Sequence, residues 1–324
     1  SRRRSTELTG GLVGKAGTME KFTDWKGLPD TARGASVAMG NFDGVHLGHQ
    51  SVIDLARGRG PLGLITFEPH PREYFAPKAP PFRLMNAEAR AHRLQKLGVS
   101  HLYELPFGAE LAGMEADVFA RDVLAEGLGV THVAVGGDFR FGKGRTAGVA
   151  ELIGFGQRYG FDVTIAPLLH IDGLEVSSTA IRTALAEGRP GDAAAMLGHL
   201  HRIEGEVVHG EKRGRELGYP TANMGVAGLH LPRLGVYAVK VDVLTGPQAG
   251  NYIGAASLGV RPMFGENTPN LETYIFDFAG DLYGQHLSVA FVDYLRPEIK
   301  FDGLPALMDQ MAADCAKARE ILTA

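Results

Sequence analysis

The sequence predicts two units in one chain: a doubly wound parallel α/β unit, then an antiparallel β-barrel closed by a terminal helix. Three observations predict this. At 324 residues the chain is too long for one common core. From Val37 to about Gly188, strand-like and helix-like runs alternate, as in βαβ units with right-handed crossovers. From Ile203 onward the runs are strand-like and separated by Gly-rich turns, with no helix until the last stretch.

In the first half, the apolar runs Ser36–Met39, Leu62–Phe67, His101–Leu105, His132–Val135 and Val163–Pro167 read as strands. Leu47–Ala56, Ala87–Leu97, Glu115–Leu128 and Val149–Tyr159 carry apolar residues at helical spacing. Ala184–His201 reads as a helical connector, punctuated by Arg189-Pro190-Gly191. In the second half, Ile203–His209, Gly235–Val243, Tyr252–Leu258, Leu271–Phe278 and Leu287–Leu295 read as strands. Leu304, Leu307, Met308, Met311, Cys315, Ala318 and Leu322 keep a spacing of three to four, which predicts a final helix packing that whole face on the barrel. The domains are expected at 19–188 and 202–324, joined by a connector at 189–201.

Composition narrows the class. The formal charge of −4 argues against a dominant nucleic-acid or membrane-surface role. No apolar run reaches the roughly 18 residues of a membrane helix. The sole cysteine, Cys315, cannot form an internal disulfide, and the expectation is a packed thiol in a reducing, cytoplasmic setting. The 44 glycines are about twice the usual share and imply many tight turns. Ser1 to Thr18 is basic and lacks an apolar h-region. It reads as an extension before a natural start at Met19, outside the fold.

The most informative stretch is Gly40-Asn-Phe42-Asp43-Gly-Val-His46-Leu-Gly48-His49. It joins an apolar strand to a helix N-terminus, where free N–H groups and the helix dipole suit a phosphate. Gly48 permits close backbone approach, and two imidazoles three residues apart share a face. Zinc binding by these histidines would need a third ligand, and none is evident. Two further glycine runs are set aside. Gly58-Arg-Gly60-Pro-Leu-Gly63 precedes a strand rather than following one, and Gly137 to Gly144 lacks the hydroxyl of a P-loop.

Other segments gather chemical groups. Thr66-Phe67-Glu68-Pro69-His70-Pro71 and Gly136-Gly-Asp138-Phe139-Arg140-Phe141-Gly142 each end a strand. Ser177, Ser178 and Thr179 open a helix that carries Arg182; they can bind phosphate, or Ser177–Thr179 can simply cap the helix. In the second half, Gly210, Gly214 and Gly218 recur four apart in a loop with Lys212, Arg213 and Arg215, which could fold over phosphates. Thr221 and Asn223 share a face of an extended segment and offer oxygens to a hard cation such as Mg²⁺. Glu272 stands in an apolar strand, either paired structurally or acting as a general base.

The Gly40–His49 stretch matches the G-x-F-D-x-x-H-x-G-H pattern of the nucleotidyltransferase superfamily. With Thr66–Pro71, Gly136–Gly142, Ser177–Arg182, Pro220-Thr-Ala-Asn223, Tyr283-Gly284 and the tail from Leu295 to Arg319, the chain from about Met19 resembles the prokaryotic bifunctional riboflavin kinase/FAD synthetase family. The resemblance implies a Rossmann-like adenylyltransferase domain followed by a kinase barrel, with riboflavin, FMN and ATP as substrates and Mg²⁺ as cofactor. It implies that His46 and His49 contact ATP phosphates, with Gly40, Phe42, Asp43 and Gly48 in the same nucleotide site. Ser177, Ser178, Thr179 and Arg182 would hold the triphosphate. Phe67, Pro69, Pro71, Asp138 and Phe139 would lie near FMN. In the kinase half, Gly210, Lys212, Gly214 and Gly218 would meet ATP, Thr221 and Asn223 would organise Mg-ATP, Glu272 would activate the ribityl hydroxyl, and Arg296 would border the flavin. The chain departs from the family pattern at Met263, where a Thr is usual, and in the connector Leu197-Gly-His-Leu-His-Arg202. The alternatives are a flavin-binding regulator without turnover and a nucleotidyltransferase for another phosphorylated metabolite.

Overall fold

The computed structural model describes residues 17–210, 213–261 and 268–324. Lys212 and Met263 therefore lie outside the described residues.

The first half begins with β1 (Glu20–Phe22), β2 (Ser36–Met39), α1 (Leu47–Ala56), β3 (Leu62–Glu68), α2 (Pro71–Phe75), α3 (Ala87–Lys96) and β4 (His101–Pro106). It continues with two short helices, α4 (Ala109–Ala112) and α5 (Ala116–Val118), then β5 (His132–Gly136), α6 (Val149–Tyr159) and β6 (Asp162–Ala166). A small hairpin, β7 (His170–Ile171) and β8 (Leu174–Glu175), precedes α7 (Ser178–Ala186) and α8 (Pro190–Leu197). The six-stranded sheet runs β1-β4-β3-β2-β5-β6, parallel throughout. Its central strands β2 and β5 are buried apolar runs, as expected where a sheet is covered on both faces, while the edge strands β1 and β6 are exposed or half-buried over most of their length. After β2 the chain moves outward through β3 and β4, then returns to the other side of β2 for β5. The carboxyl end of β2 is therefore the topological switch point, where such sheets hold their ligands.

The second half holds β9 (Arg202–Glu206), a one-turn helix α9 (Arg213–Glu216), β10 (Thr221–Gly225), β11 (Gly235–Val243), β12 (Gly250–Arg261), β13 (Thr268–Ile275), β14 (His286–Arg296) and α10 (Leu304–Leu322). The strands form one antiparallel sheet in the order β10-β13-β12-β11-β14-β9. A bridge between Val208 and Asn223 joins its two edges, so the barrel is nearly closed.

Three expectations need correction. The segment 115–128 is not one α-helix. From Phe119 to Gly127 it widens to a π-helix, with Leu128 N–H bonding Val123 O, so that Gly127 lies against Trp25 with no room for a side chain. A helix does intervene among the barrel strands: α9 contains Gly214, so the glycine-rich loop is locally wound. Gly235, at φ +147° against Arg296 and Tyr294, admits no side chain where β11 begins. The face of α10 is buried only in its second half. Asp314 and Ala318 are covered, while Leu304 and Met308 are 52% and 39% exposed. Charge explains where the covering starts: Asp314 receives Arg296 through Nε at 2.9 Å and Nη2 at 2.8 Å, which pins the middle of α10 to the end of β14. Cys315 packs beside Ala318 as expected, and burial pushes its thiol up to about 11.

One ionic cluster underlies the first sheet. Arg90 of α3 is fully buried; its Nη2 lies 2.7 Å from Glu68 Oε1 and 3.3 Å from Glu104 Oε2. Arg83 also bonds Glu68, at 3.0 Å, and Lys21 reaches Glu104 at 2.8 Å. These side chains tie β1, β3, β4 and α3 together. Replacing Arg90 by Ala leaves two carboxylates with fewer partners, and breaking buried pairs of this kind costs about 3–5 kcal/mol. Because Arg83 and Lys21 remain, R90A is expected at the low end of that range. Urea denaturation measures it, and an unchanged midpoint would remove the cluster from the account of stability.

Candidate functional site

The turn after β2 is held in an unusual shape. Phe42 and Val45 adopt φ of +53° and +47°, a region that side-chain-bearing residues rarely occupy. Tertiary contacts impose it. Asp43 is buried, with Oδ1 accepting from Leu84 N–H at 2.9 Å and Oδ2 from Arg182 Nη2 at 3.1 Å. Burial raises the Asp43 pKa, opposed by the Leu84 N–H and by Arg83 and Arg182. From behind, Gln50 Nε2 bonds Val45 O and Leu197 O, and His199 Nε2 lies 3.0 Å from Gly44 O. The unusual connector thus braces this turn.

His46 is the N-cap of α1, and it forms a reciprocal capping box with His49. His46 Nδ1 accepts from His49 N–H, and His49 Nδ1 accepts from His46 N–H, each at 3.2 Å. The rings stack with centroids 3.5 Å apart. A side chain on Gly48 would come within 2.9 Å of the His46 ring, which explains the glycine between them. Burial lowers the pKa of His46 to about 4 and that of His49 well below its usual value, helped in each case by another imidazole. Both rings are therefore neutral at pH 7, and the consumed Nδ1 positions put their protons on Nε2. The pair presents two N–H donors.

The N-terminus of α7 meets that of α1. Ser178 Oγ donates to Asp43 O at 3.2 Å, and Gly48 lies close to Val176 O. Two helix dipoles thus converge beside the imidazoles, an arrangement suited to an anion. Ser177 takes the bland role as well, accepting from Ala180 N–H as the helix cap, and Thr179 is exposed. Arg182 is anchored by Phe82 O at 2.6 Å and by Asp43.

Phe67, Pro69 and Pro71 stand at the end of β3, on one side of β2; Asp138 and Phe139 follow β5, on the other. Phe67 and Phe139 pack on the same core cluster. Phe67 also meets Phe107, which carries Tyr74 and the exposed Phe75, so an aromatic shelf extends from the sheet edge. Sequence reasoning missed Arg83 and Arg90, because nothing in their spacing marks ion pairing with Glu68.

A second constellation lies on the barrel. The register pairs Asn223 with Glu272 and Thr221 with Tyr274, so Thr221, Asn223 and Glu272 occupy one face of adjacent strands. The intervening Ala222, Met224 and Leu271 fill the core on the other face. Asn270 also lies on the outer face. Its Nδ2 donates to Asn223 Oδ1 at 3.3 Å, and its own Oδ1 is buried with no hydrogen-bond partner among the described residues. Asn270 was overlooked, although it stands two residues from Glu272, the same spacing that singled out Thr221 and Asn223. Gly210 and Gly218 flank α9, and Gly218 turns at φ +82°. His209 stacks on Tyr283 at 3.9 Å, which brings the Tyr283-Gly284 segment to this loop. Arg296 is engaged by Asp314 and by Phe301 beneath its guanidinium.

The model of the FAD synthetase family matches residues 28–180, and that of the riboflavin kinase family matches residues 197–322. A bifunctional riboflavin kinase/FMN adenylyltransferase from Pseudomonas fluorescens is 41% identical over 89% of this chain and 93% of its own length. The chain belongs to the bifunctional riboflavin kinase/FMN adenylyltransferase family. The relative from Haemophilus influenzae is 38% identical over 89% of this chain and 94% of its own. A solved Streptococcus pneumoniae structure, described as a macrolide-efflux protein, superposes with a TM-score of 0.75 at 31% identity, covering 91% of this chain and 97% of that one. Among the described residues no helix is long and apolar enough to cross a membrane.

Several histidines are held neutral by burial: His46 and His70 down to about 4, and His201 to about 3. On unfolding they regain a value near 6.5, so below that pH the unfolded chain binds more protons and stability falls. The thermal midpoint is expected to drop progressively from about pH 6.5 toward pH 4. In H70Q the drop should be shallower, since one proton-binding group is gone from the unfolded chain while Gln can still accept from the Arg72 N–H. A scan showing the same slope for both proteins would contradict this.

Proposed function

We propose that this chain makes FMN from riboflavin and ATP on its barrel, and then FAD and pyrophosphate from FMN and ATP at the parallel sheet. The observation that supports the reading is that one chain holds two separate constellations suited to phosphate, the His46–His49 turn within the 28–180 match and the Thr221, Asn223 and Glu272 group within the 197–322 match. The domains are taken as 19–188 and 202–324, with 189–201 as the connector.

At the barrel, Glu272 accepts the proton of the ribityl hydroxyl as its oxygen attacks the γ-phosphorus of ATP, and ADP leaves. Gly210, Lys212, Gly214 and Gly218 belong to the loop that meets the nucleotide, and Arg296 borders the flavin end. Thr221 and Asn223 would hold Mg²⁺. The donor set fits: neutral side-chain oxygens on one strand face, with the orphan Asn270 Oδ1 beside them, suit a hard ion that takes its remaining ligands from phosphate and water. When bound, Mg²⁺ neutralises phosphate charge.

At the sheet, the FMN phosphate attacks the α-phosphorus of ATP. It is already ionised near neutral pH, so positioning and electrostatics suffice. His46 and His49 donate from Nε2 to phosphate oxygens. Gly40, Phe42, Asp43 and Gly48 shape the turn, and Ser177, Ser178, Thr179 and Arg182 border the triphosphate. Phe67, Pro69, Pro71, Asp138 and Phe139 receive the flavin on the aromatic shelf. ATP-dependent chemistry and a single cysteine fit the cytoplasm.

Incubation with riboflavin, Mg²⁺ and ATP, resolved by chromatography, should yield FMN and then FAD. H49A should lose FAD formation, by an amount equivalent to about 2.7–4 kcal/mol if the lost donor resembles an oxyanion-hole contact, and keep FMN formation. E272Q should lose riboflavin phosphorylation by roughly 10²–10⁴-fold and adenylylate supplied FMN normally. Equal loss of both activities in either folded variant would sink the division of labour. Wild-type-like kinase turnover in E272Q, with only a lower thermal midpoint, would assign Glu272 a structural role.

A further inference from the structure

A second cluster of metal-binding chemistry lies away from both sites, where the two halves meet. Glu88 and His92 are four residues apart on α3 and so share one face of that helix. Glu204 faces them from β9, with His286 of β14 beside it through the register that pairs Ser288 with Glu204. His92 Nδ1 lies 2.6 Å from Glu204 Oε2, and His286 Nδ1 lies 2.8 Å from Glu88 Oε1. Donor atoms of Glu88, His92 and Glu204 all fall within 4.8 Å of one another.

Two features set this apart from a solvated patch. Glu204 is only 5% exposed, and among the described residues His92 is the side chain that bonds its carboxylate. A buried carboxylate is costly without a full charge partner. Arg202, the nearby cation on the same strand, is committed to Asp242 at 2.8 Å. The cluster also opens on a cavity of about 170 Å³ lined by His92, Glu204, Gln95, Asp242 and Ser288, among others, which gives room for a fourth, water ligand.

We propose that Glu88, His92 and Glu204 bind a divalent transition-metal ion that staples the two halves together. The ligand set, one imidazole and two carboxylates with an open position, suits Zn²⁺ or Co²⁺. Tetrahedral ligands at about 2.0–2.2 Å lie roughly 3.3–3.6 Å apart, so the donors, now 2.6 Å apart for His92 and Glu204 and within 4.8 Å overall, reach that spacing by side-chain adjustment. Binding releases the proton between Nδ1 and Oε2 to solvent and puts the metal in its place. His286 is a positioning residue: its hydrogen bond holds the Glu88 carboxylate from outside the ligand set.

The test uses the full chain, stripped with chelator and kept in excess Mg²⁺ without nucleotide. Co²⁺ is titrated and followed by visible absorption, and Zn²⁺ is then added as competitor. The wild type should show saturable absorption, one ion per chain, displaced by Zn²⁺, with a rise in thermal midpoint on Zn²⁺ addition. H92A should lose both the absorption and the rise. His92 is partly exposed, so this variant should fold. H286Q should bind about 10–100-fold more weakly with the same spectrum. Absence of a saturable signal in the wild type, or equal binding by wild type and H92A, would overturn the proposal and leave the cluster as two hydrogen-bonded interdomain contacts.

Discussion

Much of this molecule hangs on the burial of one carboxylate. Asp43 can sit out of water because Leu84 N–H and the Arg182 guanidinium satisfy it, with Arg83 adding charge. That requirement brings together three stretches distant in sequence: the turn after β2, the segment before α3, and α7. With Asp43 fixed, its carbonyl receives Ser178, and the N-termini of α1 and α7 converge. The adjacent Arg83 carbonyl then accepts from His230 N–H at 2.8 Å, and Leu185 O accepts from Arg233 N–H, so the barrel is seated against the same stretches. The strained φ at Phe42 and Val45 is sustained by this over-determination.

The two halves solve one problem with different local means. On the proposed reading, donors for phosphate in the sheet come from helix ends and neutral imidazoles, placed by a crossover. In the barrel, oxygens come from alternate residues of paired strands, placed by register. The halves share polar contacts such as Asn86 Nδ2 to Glu204 O at 2.8 Å. The connector that departs from the family pattern is part of this seam, since His199 supports the turn and His201 is buried against Phe291.

The sequence shows most clearly what local periodicity controls. Leu47–Ala56, Val149–Tyr159, Gly235–Val243 and Leu304–Leu322 have the bounds expected from apolar spacing alone. The Thr221, Asn223 and Glu272 grouping needed only strand alternation plus a pairing, and the structure supplies that pairing. What stayed hidden depends on tertiary partners. β1 is three residues long and gains its place only by pairing with β4. The π-helical widening answers to Trp25, about a hundred positions upstream of Gly127. The role of Arg90 exists only once Glu68 and Glu104 lie side by side on neighbouring strands. The exposed start of α10 follows from the Arg296–Asp314 pair, which no helical wheel contains.

The reciprocal cap of His46 and His49 has a chemical consequence of its own. Each ring spends its only lone pair on a backbone N–H, so neither can take a proton from a weak acid. In the adenylylation proposed above, a nucleophile that arrives as an anion needs no such help, whereas water does. In that reaction the same two hydrogen bonds that shape the helix end would favour phosphoanhydride formation by FMN over hydrolysis of ATP by water.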